Sequence, residues 1–165
     1  MATTFTLRHD IDCSVDRFWE MFFDPELQKN IFKELGFPKW EVVEAKDTEK
    51  EVVRTISAIP KIDAPAPVAK LMGPGFGYTE EGRFDRASKV YKFVITPSTM
   101  ADKMTNTGSV RVEPKGDDKC TRIVEIFGEA RIFGLGGTIE KMTEKNIREG
   151  WDYSARKMNE ILAKK

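Results

Sequence analysis

His9 is the only histidine in the chain, so any Ser-His-Asp or Cys-His arrangement would have to use it. It lies in the segment "TFTLRHDID", where apolar and polar residues alternate, on the same parity as Phe5, Leu7 and Ile11. That parity predicts the buried face of a strand. A lone histidine in such a setting is more typical of a hydrogen-bonded core residue than of a catalytic base.

Two adjacent carboxyl groups, Glu80 and Glu81, lie in another predicted strand, over residues 76–84. Because successive strand residues point to opposite faces, one of the two must point inward. If Glu80 does so, its carboxyl group lies in an apolar wall, with a raised pKa or an arginine partner such as Arg83 or Arg54. A salt bridge within a hairpin is the more common outcome, and we therefore name no catalytic residue.

The remaining reactive residues form no recognisable catalytic or metal-binding pattern. Cys13 and Cys120 are too few and too far apart for a disulfide framework or a metal-binding spacing, and we expect reduced, packed thiols. Asp10 and Asp12 share the predicted solvent face of the first strand. The glycines of residues 134–137 lack the lysine of a phosphate-binding loop and indicate a tight turn. The sequence predicts no metal and no cofactor.

The charge balance argues against nucleic acid as a partner. The 165 residues include 27 Lys and Arg and 27 Asp and Glu, so the chain has no net positive field that would hold a polyanion. No apolar run approaches the ~18 residues that a membrane-spanning helix needs, and the first residues do not resemble a secretion signal. We expect one cytoplasmic domain covering residues 1–165.

The predicted elements follow the order strand, two short helices, six strands and one long helix. A strand over residues 4–12 precedes a helix capped by Ser14 and a second helix that begins at Pro25 and ends near Gly36. Period-two patterns then predict strands over residues 40–45, 51–59, 76–84, 89–96, 103–113 and 120–132. Short polar connections indicate an antiparallel meander of about seven strands in total.

From Thr138, the expected N-cap, apolar residues recur with a period of 3.6 over roughly 25 residues, enough for a helix that crosses a whole sheet. An antiparallel sheet with one solvent face must cover the other, and this helix is left to cover it. We therefore predict an α+β fold in which a curved antiparallel sheet wraps around a long carboxy-terminal helix.

The buried stripe of the long helix contains small residues. Asn146, Gly150 and Ser154 recur at every fourth position, beside Ile147 and Trp151. Either they let the helix approach the sheet closely, or they leave space, since interiors otherwise pack at crystal-like density. Small residues on the predicted strands favour space. They are Thr55, Ser57, Asn106, Gly108 and Gly128.

Asn106 and Asn146 would be polar groups in such a cavity. An unpaired buried amide costs about 1–3 kcal/mol, so each would need water, the other asparagine or the polar head of a ligand. Ordinary surface or hairpin placement is the alternative for both. If they face the interior, the cavity suits an amphipathic molecule.

The stretch "SAIPKIDAPAPVAKLMGPGFG", residues 57–77, is too long and too apolar for a simple strand connection. We interpret it as a lid over the mouth of the cavity, stiffened by its prolines and hinged at its glycines, with a single helical turn at residues 68–72. Alternatives are a surface loop packed on a neighbouring molecule and transient membrane contact through residues 60–76. The apolar face of the lid would consist of Val68, Leu71, Met72 and Phe76.

The order of elements resembles the helix-grip superfamily, which contains START lipid-transfer domains, relatives of the birch-pollen allergen and polyketide cyclases. The stretch "CSVDRFWEMFFDPE" resembles the opening helix of that superfamily, where an aromatic pair precedes an Asp-Pro break. Within the superfamily, "IPKIDAPAPVAKLMG" and "FGLGGTIEKM" resemble a bacterial family of unknown function. The resemblance implies a deep hydrophobic cavity between sheet and helix and a binder of an apolar small molecule, but names no ligand.

We therefore predict a carrier or sensor that binds a hydrophobic or amphipathic small molecule, such as a lipid, in an internal cavity. One alternative is a cyclase- or lyase-type enzyme acting on an aromatic or polyketide-like substrate there, with Glu80, Tyr78 or His9 transferring protons. Another is an interaction module for a protein partner. The sequence makes no prediction about oligomeric state. The candidate ligand-binding residues are Leu71, Met72, Phe76, Tyr78, Tyr91, Phe93, Met104, Asn106, Ile126, Asn146, Ile147, Gly150, Trp151 and Ser154.

Overall fold

A computed structural model describes residues 2–164 of the chain, and this part contains seven strands and four helices. Their order agrees with the predicted one, apart from a short helix within the long apolar connection. The elements are β1 (Thr3–Ile11), α1 (Val15–Phe22), α2 (Pro25–Leu35), β2 (Lys39–Asp47), β3 (Glu51–Ile59), α3 (Ala66–Met72), β4 (Tyr78–Asp85), β5 (Val90–Pro97), β6 (Met104–Pro114), β7 (Cys120–Ala130) and α4 (Gly136–Ala163).

The seven strands form one antiparallel sheet in the order β1-β7-β6-β5-β4-β3-β2. Strands β2 to β7 follow one another as a meander, as predicted, whereas β1 pairs with β7 at the far edge. The 28-residue helix α4 packs against β1 and β7, and α2 joins β2 to α4. The predicted helix-grip architecture, a curved sheet around a long carboxy-terminal helix, is confirmed.

The two short helices begin and end where their capping residues predict. The Ser14 side chain accepts a hydrogen bond from the backbone of Arg17, and Asp24 caps the helix that starts at Pro25. Gly36 ends that helix in the left-handed region, at a φ of 105°, which a residue without a Cβ adopts readily. These caps place the aromatic face of α1 and the end of α2 over the sheet.

The predicted start of the long helix was wrong. The helix begins at Gly136 rather than after Thr138, and the residue at its N-cap position, Leu135, makes no side-chain capping bond. A Cβ atom on Gly136 would lie 2.5 Å from the Ala130 carbonyl oxygen. Glycine is therefore required for the helix to start this close to the end of β7, and packing takes precedence over the polar cap.

The long connection between β3 and β4 contains α3, which is longer than the predicted single turn. Val68 is fully buried in a small hydrophobic cluster with Ala130 and Ile139, whereas Leu71, three residues later, is 41% exposed. The expectation that both side chains point at a ligand was wrong, because the packing of α3 encloses Val68 among its neighbours and leaves Leu71 in contact with solvent. Among the described residues, no helix combines the length and the apolar composition needed to cross a membrane.

Candidate ligand-binding cavity

A cavity of about 460 Å³ lies between α4 and the inner face of the sheet, with a wall of mainly aromatic and aliphatic side chains. Every candidate ligand-binding residue except Leu71 lines it, and contact between these side chains and a ligand stays a prediction. On α4 these residues are Asn146, Ile147, Gly150, Trp151 and Ser154. The others are Met72, Phe76, Tyr78, Tyr91, Phe93, Met104, Asn106 and Ile126.

The inward face of β3 carries different residues from those predicted, since Thr55 and Ser57 were expected to border the cavity. Arg54 and Ile56 are buried and line the cavity, so Thr55 and Ser57 lie on the opposite face of the sheet. Both parities of this strand carry apolar residues, and the alternation alone did not distinguish the faces. The inward parity brings a guanidinium group, rather than small hydroxyl side chains, into the cavity wall.

Small residues on the central strands make room for neighbouring side chains rather than for empty space. A Cβ atom on Gly108 would lie 2.4 Å from the ring of Phe93, and one on Gly128 would lie 3.0 Å from Oδ1 of Asn106. The expectation that these glycines widen the cavity was therefore wrong. At Gly150 the expected space is present, because a Cβ atom there would meet only ordinary contact with α2.

Asn106 and Asn146 both line the cavity. Neither amide makes a hydrogen bond with the described part of the chain, and neither is sealed off by protein atoms. Both amide groups are therefore free to bond to water or to a polar group of a ligand inside the cavity.

A polar cluster consisting of Arg54, Tyr78, Glu80 and Tyr91, here called the glutamate cluster, forms part of the wall. The Tyr91 hydroxyl donates a hydrogen bond of 2.7 Å to Glu80 Oε2, and it accepts one of 3.1 Å from Arg54 Nε. Arg54 Nη1 donates to the carbonyl oxygen of Phe22 at 3.4 Å. The cluster thereby connects β3, β4 and β5 with the end of α1.

Burial sets the protonation of the glutamate cluster. It raises the pKa of Glu80, although the Arg54 charge and the Tyr91 hydrogen bond act in the opposite direction. Burial also raises the pKa of Tyr78 and of Tyr91, and the neighbouring Glu80 charge adds to both. The two hydroxyls therefore stay protonated, and Glu80 is displaced toward its neutral form, which suits a group that exchanges a proton or a hydrogen bond.

Gly82 positions the glutamate cluster. A Cβ atom on this residue would lie 1.7 Å from the Tyr91 hydroxyl oxygen, so the tyrosine ring occupies the space above the glycine. Sequence reasoning missed this role. The available signal was a glycine inside a predicted strand, which often marks the close approach of another group.

A second polar cluster, here called the arginine cluster, lies between β1, β7 and α4. Arg122 is 1% exposed and donates to Ser154 Oγ at 3.0 Å, to the Trp151 carbonyl oxygen at 2.8 Å and to His9 Nδ1 at 3.1 Å. His9 Nε2 lies 2.6 Å from Asp152 Oδ1. Because Nδ1 accepts from the guanidinium, the neutral imidazole carries its proton on Nε2 and donates it to the carboxylate.

His9 is thus hydrogen-bonded at the edge of the core, in agreement with its position on the apolar parity of β1. Burial lowers its pKa, the Arg122 charge lowers it further, and Asp152 acts in the opposite direction. Ser154 bonds to Arg122 and to the Trp151 carbonyl, and not to His9. These residues therefore do not form a Ser-His-Asp triad.

The sequence matches one protein-family model over most of its length. A family model described as "Protein of unknown function (DUF2505)" matches residues 6–162. The chain belongs to this DUF2505 family. No curated protein matches the sequence.

Solved structures with the same fold cover nearly the whole DUF2505 chain. The Zhui aromatase/cyclase from Streptomyces sp. R1128 is 12% identical with a TM-score of 0.69, over 96% of this chain and 92% of that one. Norcoclaurine synthase from Thalictrum flavum, in complex with dopamine and hydroxybenzaldehyde, is 14% identical with a TM-score of 0.64, over 99% and 88%. A START superfamily protein from Mycobacterium smegmatis is 8% identical with a TM-score of 0.62, over 96% and 98%. Together they establish the helix-grip fold, as the sequence resemblance implied.

Sequence reasoning missed Arg122 in the DUF2505 chain and weighed Arg54 only as a partner of Glu80. Each is a cationic residue on the inward parity of its strand, next to buried apolar neighbours. Such a residue is unusual, because arginine is almost never fully buried unless it is paired. Burial lowers the pKa of Arg122 to about 9, so it keeps its charge at neutral pH.

No group of three or more His, Cys, Asp or Glu side chains in residues 2–164 of this DUF2505 protein is arranged to hold a metal ion. Cys13 and Cys120 are both buried. Burial raises the pKa of Cys120 to about 12, with a further contribution from Cys13. This thiol therefore stays protonated and is a poor nucleophile.

Proposed function

We propose that this protein is a carrier or sensor of a hydrophobic or amphipathic small molecule, such as a lipid, which one domain of residues 1–165 holds between α4 and the sheet. The cavity of about 460 Å³ carries the proposal. It falls within the range of roughly 300–1,000 Å³ that is typical of small-molecule sites. An unfilled interior costs stability at roughly 24 cal/mol per Å³, so a bound molecule accounts for the cavity better than a packing defect does.

Two further observations support an amphipathic rather than a purely apolar ligand. The amides of Asn106 and Asn146 face the cavity without a hydrogen-bond partner in the described part of the chain. The glutamate cluster adds a carboxyl group and a guanidinium to the same wall. A few convergent polar groups in an otherwise apolar wall orient a ligand and provide its specificity.

The loop of residues 60–76 acts as the lid in this proposal. Residues 60–63, together with Met72 and Phe76, contribute to the cavity wall, so their displacement would open it. The exposed side chain of Leu71 supports transient contact of this loop with a membrane, where an apolar ligand could enter or leave.

Native mass spectrometry of the full chain purified from cells, before and after organic extraction, tests the proposal. We expect a bound apolar molecule in the first sample and its loss in the second. The extracted protein should then take up a fluorescent fatty-acid probe. A chain that neither retains nor takes up any apolar molecule would contradict the proposed function.

The glutamate cluster favours a second candidate, an enzyme of the cyclase or lyase type that acts on an aromatic or polyketide-like substrate in the same cavity. An enzyme of this type needs at least two titratable groups directed at one region of its site. Glu80 and Tyr91 are hydrogen-bonded to each other, and Tyr78 on the same strand as Glu80 also lines the cavity. Two solved structures with this fold are named as an aromatase/cyclase and a synthase.

The substitution Glu80→Gln distinguishes a carrier or sensor from an enzyme. If the protein is an enzyme, the substitution should abolish turnover of its substrate while uptake of the fatty-acid probe stays unchanged, because the amide fills the same space but transfers no proton. The matched control is Glu81→Gln on the exposed face of the same strand. Unchanged turnover in Glu80→Gln would exclude Glu80 as the acid or base.

Glu80→Gln should also raise the free energy of unfolding at neutral pH, by about 0.5–2 kcal/mol. The folded-state pKa of Glu80 lies above its ordinary value of 4.5, so the ionised carboxyl destabilises the fold above the pKa of the unfolded chain. The gain in the free energy of unfolding should therefore shrink as the pH falls toward the pKa of Glu80 in the unfolded chain. Urea unfolding at neutral and acidic pH measures it, and an equal loss of stability at both would show that the carboxyl is mainly structural.

A further inference from the structure

The buried charges of the cavity wall are unbalanced. Arg54 and Arg122 are 6% and 1% exposed, and the carboxyl group of Glu80, which interacts with the Arg54 charge, lies in the same wall. The wall is therefore positive whether Glu80 is ionised or neutral. Other charged residues on the cavity wall are exposed, so solvent screens them. They are Lys61, Asp63 and Glu149.

The counter-charges inside the protein do not fully compensate the two guanidinium groups. In the described part of the chain Arg54 forms no ion pair. Its hydrogen-bonded connection to Glu80 runs through the Tyr91 hydroxyl. Arg122 is connected to Asp152 by hydrogen bonds through His9, and the Asp152 side chain is 61% exposed. A buried cation without a direct counter-ion is costly, and an anion brought into the cavity would offset that cost.

The two arginines differ in what they can offer a ligand. Both terminal nitrogens of Arg122 are bonded to protein groups, and its Nε is enclosed without a partner. Arg54 uses Nε and Nη1, whereas its Nη2 bonds to nothing in residues 2–164 and is not sealed by protein atoms. Arg54 can therefore donate directly to a molecule in the cavity, while Arg122 acts through its charge alone.

We propose that the cavity selects amphiphiles with an acidic head group of the carboxylate class, and that the Arg54 guanidinium holds this head group. This inference rests on the proposed binding function and specifies its ligand. The carboxylate accepts a hydrogen bond from Nη2, the guanidinium nitrogen that no group in the described residues uses. The apolar chain of the ligand then lies along the aromatic wall toward α4.

Three probes of equal chain length test the inference: decanoate, decanol and decylamine, titrated by calorimetry into the delipidated full chain. We expect decanoate to bind about tenfold or more tightly than decanol, and decylamine to bind more weakly than either. In Arg54→Met the preference for decanoate over decanol should disappear, with the affinity for decanol retained. Arg54→Lys, which keeps the charge without the planar fork, should keep part of the preference.

Arg111→Met is the matched control, because Arg111 on β6 lies outside the cavity wall and its 40% exposed side chain pairs with Glu113 and Glu125. Its affinities should equal those of the unaltered protein. Equal binding of the three probes, or tightest binding of decylamine, would overturn the inference and leave the proposed function intact. Failure of all three to bind would overturn both. An undiminished preference in an Arg54→Met protein that still binds decanol would overturn the assignment to Arg54.

Discussion

Gly82→Ala is expected to lower the free energy of unfolding by about 2–3 kcal/mol, although it adds a single methyl group. The added Cβ atom would lie 1.7 Å from the Tyr91 hydroxyl oxygen and 2.1 Å from the carbon that carries it. The ring cannot simply move aside, because it packs against Phe22, Phe23 and Phe93 and lies under the Arg54 guanidinium. Its displacement also breaks the hydrogen bonds to Glu80 and Arg54.

Urea unfolding followed by circular dichroism measures this loss of stability. Gly137→Ala is the control, because no atom outside the local helix lies within 4 Å of the new Cβ atom, and alanine in a helix is favoured by about 1 kcal/mol. In a Tyr91→Ala background the cost of Gly82→Ala should largely vanish, since the obstacle is gone. A cost that is the same in both backgrounds would show that Gly82 acts through its backbone alone.

Gly150→Leu is expected to abolish uptake of an apolar probe without loss of stability. Gly150 lies on the face of α4 that lines the cavity, and a Cβ atom there would be 3.7 Å from Leu35 Cδ2, an ordinary contact. A leucine side chain would extend into space that the ligand needs. Because glycine within a helix is disfavoured by about 0.8–1.0 kcal/mol relative to alanine, the protein should become slightly more stable.

The measurement is a titration with a fluorescent fatty-acid probe, together with urea unfolding of the same protein. Lys141→Leu is the matched control, because it places the same side chain on an exposed position of α4 outside the cavity wall. The control should bind the probe with unchanged affinity. Full uptake by a stably folded Gly150→Leu would mean that the probe binds elsewhere on the protein.

Local patterns predicted the order of the elements because each pattern depends on near neighbours in the chain. Alternation with period two identified the strands, period 3.6 identified α4, and Ser14, Pro25 and Gly36 placed the two short helices. The small residues of α4 lie on the helix face that lines the cavity, and their contact with a ligand stays a prediction. These features involve contacts within a few residues, which the sequence displays directly.

The facing of individual strand and loop residues was not predictable in the same way. Thr55 and Arg54 are adjacent, and apolar residues occur on both parities of β3, so alternation did not show which of the two lies inside. Val68 and Leu71 are both apolar, and the packing of α3 against the end of β7 decided that one is buried and the other exposed.

The sequence by itself determined an α+β chain with a long amphipathic helix, a predominantly antiparallel set of strands and an apolar loop too long for a hairpin. Only the tertiary structure decided that β1 pairs with β7, that Arg54 and Arg122 are enclosed, and that Tyr91 lies over a glycine. The physical reason is that pairing, charge burial and cavity shape depend on groups distant in sequence. In the glutamate and arginine clusters, for example, bonds join residues separated by 37 and 113 positions.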